Sequence, residues 1–135
     1  MKEYKNSKGE VLHCIYRLDD CQEDRCDFTS EDKYLQGAVM RMNDGKSFKN
    51  HKHIKCERHI DITQETWVVF RGKVQVDYYD EDANFMGTEV INAGDCTITF
   101  AGGHKFSCLA DDTLVYEFKN GPYFGRDADK VFISE

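Results

Sequence analysis

The feature that most constrains this chain is a succession of short β-rich runs, each closed by Asn, Asp or Gly, filling residues 35–119. LQGAVMRM (35–42) ends at Asn-Asp-Gly. TWVVFRG (66–72) is an apolar run ending in glycine. KVQVDYYD (73–80) sets Val, Val and Tyr against Lys, Gln and Asp, the period of two that places one set on a buried face. FMGTEVINAGD (85–95), CTITF (96–100), KFSCLA (105–110) and TLVYEFK (113–119) continue the pattern. Runs of this length at this spacing, with no helical period among them, predict an all-β antiparallel sandwich or barrel.

Composition narrows the function classes. A chain of 135 residues fits one domain, and it is long enough to bury a core without covalent staples. We divide it into a core at about 35–119, an N-terminal segment 1–34 and a C-terminal arm 120–135. The N-terminal segment reads as a strand near 10–17 and an irregular acidic stretch, with one helical turn expected in TSEDKYLQ (29–36). The net charge of -7 disfavours nucleic acid as a partner. No apolar run approaches the ~20 residues of a spanning helix, and the N-terminus does not read as a signal peptide, so the expected location is cytoplasmic. None of the six cysteines forms a CxxC pair, which disfavours a zinc knuckle or a thioredoxin-type motif.

Chemistry concentrates in DGKSFKNHKHIKCERHIDITQETWVVFRGKV (44–74). Alternate residues of a strand share a face, so His51 and His53 on one strand would project two imidazoles together. The same spacing suits a solvated basic loop. The wider pattern adds Gly45 with five residues between it and His51, Glu65 with six residues between it and Gly72, and GDCTITFAGGHKF (94–106) with His104 after two glycines.

This layout resembles the two motifs of the cupin superfamily, whose fold is a jelly-roll barrel, the double-stranded β-helix. The resemblance runs from about residue 40 to 118. It implies that His51, His53, Glu65 and His104 ligate a divalent metal, with Fe, Mn, Ni, Co and Zn all suited to three imidazoles and a carboxylate. Eleven residues separate His53 from Glu65, so 54–64 reads as an insertion at the barrel mouth, and the second motif lacks its usual proline. Arg41 and Gln64 are candidate substrate contacts. The tail KNGPYFGRDADKVFI (119–133) resembles that of small cupins linked with polysaccharide and nucleotide-sugar metabolism, or else is an arm packing on the sheet or on a partner subunit.

Three functions are expected of such a chain. The first is a metal-dependent enzyme (isomerase, decarboxylase or dioxygenase) acting on a small polar or carbohydrate-related molecule. The second is a metal-free sugar-nucleotide isomerase or epimerase, with His51, His53 or His104 as general base and Tyr79 or Tyr116 as partner acid. The third is a non-catalytic module binding a sugar or small anion. Small single-domain cupins commonly pair through exchanged or added strands, so a homodimer is expected. No membrane partner is expected.

Overall fold

The structure, a computed structural model, describes residues 1–134. Ten strands form: β1 (Lys2–Lys5), β2 (Val11–Tyr16), β3 (Arg25–Asp27), β4 (Ala38–Met40), β5 (Glu65–Arg71), β6 (Lys73–Tyr79), β7 (Phe85–Asn92), β8 (Cys96–Thr99), β9 (Gly103–Cys108) and β10 (Leu114–Lys119). A 3-10 turn at Leu18–Asp20 and a one-turn helix α1 (Arg126–Asp129) are the helical elements among the described residues. Among the described residues, no helix is long and apolar enough to cross a membrane.

Every ladder is antiparallel. One sheet runs β1-β2-β8-β5-β10, a second runs β7-β6-β9, and β3 pairs with β4 in a small ribbon. The chain is therefore all-β, in sheets that the strand pairings among the described residues do not join into a closed barrel. The expected alternation of β6 holds, with Val74, Val76 and Tyr78 buried. They meet Ile15 and Val69 from the five-stranded sheet and Ile91 from β7. Burying side chains of this size contributes roughly 1.5–3 kcal/mol each, which is what holds the two sheets face to face.

The outer face of the five-stranded sheet carries a second, smaller core. Phe28 and Leu35 pack there on Cys14, Ile98 and Phe100, and the Phe28 ring stacks on Tyr16 with centroids 4.7 Å apart. The stretch 21–40, with β3 and β4, thus forms a flap over β2 and β8. The helical turn expected in 29–36 does not form. Thr29 instead accepts a hydrogen bond from the Gly37 amide at 2.8 Å, tying the two sides of the flap.

Two expectations about strands are corrected. The run 35–42 pairs only over β4, and residues 41–64 form no strand. Phe48 is the one apolar residue in 46–53, so a strand there would offer no apolar face to bury. His51 and His53 consequently stand exposed rather than facing a barrel interior.

Candidate functional site

The inner faces of the sandwich are not wholly apolar. Thr97 and Thr99 alternate along β8 and both point inward, where both are buried. The Tyr78 and Thr97 hydroxyls are 2.6 Å apart. Thr99 sits between two imidazoles, with His13 Nδ1 and His104 Nδ1 each 3.0 Å from its Oγ1. His13 Nε2 lies 2.9 Å from the Tyr79 carbonyl oxygen, and His104 Nε2 lies 3.3 Å from Glu65 Oε1. Four side chains from β2, β8, β9 and β5 thus make one continuous polar chain.

Donor and acceptor rules fix the order of protons along it. The Tyr79 carbonyl only accepts, so His13 Nε2 carries hydrogen. Burial pushes the His13 pKa down to about 4, against the opposing pull of that carbonyl. His13 is therefore neutral at neutral pH, and its Nδ1 accepts the Thr99 hydroxyl proton. Having given its one proton, Thr99 accepts from His104 Nδ1–H. His104 Nε2 then faces a carboxylate oxygen, and two lone pairs at that distance repel unless a cation lies between them. The simplest cation is a proton shared by His104 and Glu65. Burial raises the Glu65 carboxyl, but the hydrogen bond and charge of His104, with Lys130 and Lys119, outweigh it and hold the group below its ordinary value.

The two glycines before His104 serve this arrangement. Gly102 has φ +81°, and a Cβ there would lie 2.4 Å from the Tyr79 carbonyl oxygen and 3.2 Å from His13 Nε2. Only glycine lets the backbone pass the His13–Tyr79 bond so closely. At Gly103 a Cβ would meet Ile133 Cδ1 at 2.4 Å, so the C-terminal arm packs over the start of β9. The arm is held elsewhere by a hydrogen bond from Thr63 to Asp129. Lys119 stands directly opposite Glu65 in the β5–β10 ladder, with its ammonium 4.9 Å from the Tyr123 ring centroid. Beside His104, Phe106 stacks on Trp67 with centroids 3.8 Å apart and planes 7° from parallel.

Of the four ligands that the cupin resemblance implies, the fold brings together Glu65 and His104 only. The His51 and His53 rings lie 5.5 Å apart in the exposed 41–64 segment, where His51 Nδ1 contacts the Lys49 carbonyl at 3.0 Å. Among the described residues, no group of three or more His, Cys, Asp or Glu side chains is placed to hold a metal ion. As positioned, the four-residue donor set does not fit a metal.

The other candidates fall outside the polar chain. Tyr78 pairs with His104 and Tyr79 with Gly103, so the Tyr79 ring is on the sheet face away from His104, 5.8 Å from Phe85. What Tyr79 contributes is its carbonyl. Tyr116 pairs with Val68, which puts its exposed ring on the face opposite Glu65. Arg41 donates from Nε to the Cys21 carbonyl at 3.1 Å, and the Gln64 side-chain oxygen accepts the Leu35 amide at 2.9 Å. Both tie down the flap. Gln64 also lines a groove of about 500 Å³ with Leu12, Lys33, Tyr34 and Phe100, on the flap side of the sheet. His13 and Thr99 carried no functional expectation. The alternation of Thr97 and Thr99 within an apolar strand is the sequence signal that marks an inward polar stripe.

No family model, no curated protein and no solved structure matches the chain.

Proposed function

We propose that the protein is a metal-free acid–base enzyme of jelly-roll, cupin-like form. Its proton-transferring centre is the His104–Glu65 pair, and its reaction is isomerisation or epimerisation at a carbon next to a carbonyl in a carbohydrate-related substrate. The observation that carries this reading is the hydrogen-bond order from Tyr79 through His13 and Thr99. It orients His104 Nε2 at Glu65 Oε1, 3.3 Å away, a separation that one shared proton bridges. A pair of a buried carboxylate and a half-buried imidazole sharing one exchangeable proton supplies both the acid and the base that such a reaction needs. The substrate class rests on the resemblance of the C-terminal tail and of the two motifs.

The test is solvent deuterium incorporation into nucleotide-linked keto sugars, followed by NMR with protein treated with chelator. Incorporation should occur and should fall by at least ~100-fold in both His104→Gln and Glu65→Gln. Binding of the sugar without exchange would replace this reading with that of a binding module.

A metal-dependent reading is favoured by one observation. Nitrogen and carboxylate oxygen 3.3 Å apart is also the separation of two ligands about 2.1 Å from one ion. It requires residues 41–64 to carry His51 and His53 to that pair. Metal analysis of untagged protein after exposure to Fe, Mn, Ni, Co and Zn decides it, with one tightly held ion per chain the supporting result.

A further inference from the structure

The outer face of the five-stranded sheet is covered over only half its width. The flap caps β2 and β8, whereas over β5 and β10 the side chains of Phe70, Leu114, Tyr116 and Phe118 stand exposed. Phe70 and Phe118 are 60% and 54% exposed. The rings of Phe70, Tyr116 and Phe118 form a continuous row, with neighbouring centroids 5.9 and 6.2 Å apart. An aromatic row of this kind on a sheet face marks an interaction surface.

The same chain displays an unusual counterpart. Residues 41–64 form no helix or strand, yet expose Met42, Phe48, Ile54, Ile60 and Ile62, with Ile54 81% exposed. Five cations against one carboxylate make the stretch 46–59 basic within a chain of net charge -7. The flap (21–40) beside the bare aromatic row is the opposite, with five carboxylates against Arg25 and Lys33. This 41–64 arm, distinct from the C-terminal one, lies beside its own flap: Tyr34 donates to Asp61 at 2.8 Å, and Lys46 lies 3.9 Å from Asp24.

We propose that the arm 41–64 of one protomer seats on the bare β5–β10 face of a second copy, and that the two copies exchange arms about a two-fold axis. Apolar arm side chains cover the aromatic row, while the arm's lysines meet the acidic flap of the partner. A two-fold exchange makes this contact twice. Three half-exposed aromatic rings and their arm counterparts, counted at both contacts, bring the buried area to on the order of 1,200 Å², the lower bound of a stable dimer.

The test is sedimentation equilibrium of the full chain, from roughly 1 to 100 µM. Wild type should be dimeric, with a dissociation constant that rises ~10-fold between about 0.05 and 0.5 M salt. The face variant Tyr116→Lys/Phe118→Lys and the arm variant Phe48→Asp/Ile54→Asp should each weaken the dimer by at least ~100-fold. Both variants change exposed residues, and cooperative thermal melts establish that each is folded. Mixing the two variants decides the geometry. The face variant keeps an intact arm and the arm variant an intact face, so arm exchange predicts that the mixture associates more tightly than either alone. A wild type that is monomeric throughout overturns the proposal. So does an arm variant that remains dimeric, which would indicate direct pairing of β10 edges. A mixture no tighter than its components overturns it equally.

Discussion

His13 and His104 share a single hydroxyl: each directs its Nδ1 at Thr99 Oγ1 from 3.0 Å. One hydroxyl proton cannot serve two acceptors. The two imidazoles must therefore differ in which nitrogen is protonated, and the asymmetry comes from the Tyr79 carbonyl at the far end of the chain.

Thr99→Val keeps the shape of the side chain and removes the shared hydroxyl. A buried imidazole nitrogen of His13 and a half-buried one of His104 lose their partner, so the variant should lose about 2–4 kcal/mol of stability. Thr99→Ser, which keeps the hydroxyl, should stay within about 1.5 kcal/mol of wild type. Urea denaturation at neutral pH measures both. Equal losses in the two variants would mean that packing, not hydrogen bonding, sets the cost.

The pH dependence of stability follows from the sign of two shifts. The His13 pKa is lowered from 6.5 to about 4 by burial, so between those values the unfolded chain binds a proton that the folded chain refuses. Stability from this group is whole above the unfolded value and falls as the pH drops towards 4. From pH 7 to pH 5 the loss is about 2 kcal/mol. Glu65, held below its ordinary value, adds a loss only as the pH falls below the range of an ordinary carboxylate. Denaturation curves at pH 7, 6 and 5 should show the first loss, and His13→Gln should show a shallower slope across the same window.

The glycine pair predicts a contrast. Gly102→Ala forces a Cβ against the Tyr79 backbone in a left-handed conformation, and should cost upwards of ~2 kcal/mol. Gly103→Ala clashes only with the tip of Ile133, a flexible side chain, and makes ordinary contact with Tyr79 Cβ, so it should cost less than ~1.5 kcal/mol. Its effect should instead appear as faster hydrogen exchange in residues 126–133. Similar stability losses at both positions would remove the special role assigned to Gly102.

Much of the β framework was legible in the sequence because local alternation and turn residues determine it. Val74, Val76 and Tyr78 stand out by their period of two, and Gly72 by its place after TWVVFR, where φ is +84°. Glu65 and His104 were legible from motif spacing, and they do meet. His51 and His53 have the spacing of a strand pair, but a strand also needs an apolar face, and Lys49, Asn50 and Lys52 give none. His13 was opaque for another reason. Inside VLHCIY it looks like any buried residue, and its chemistry comes from Thr99, 86 residues away. Tyr79 was singled out for its ring, yet it acts through its carbonyl, which no side-chain pattern discloses.

The most direct test of the proton order is nitrogen-15 NMR of the ring nitrogens at neutral pH. The account predicts that His13 is protonated on Nε2 alone. It also predicts that His104 carries hydrogen on Nδ1 and shares a proton from Nε2 with Glu65, a signal that Glu65→Gln alters. Hydrogen on Nδ1 of His13, or a bare Nδ1 on His104, would contradict it, because Thr99 could not then link the two imidazoles in the order derived from Tyr79.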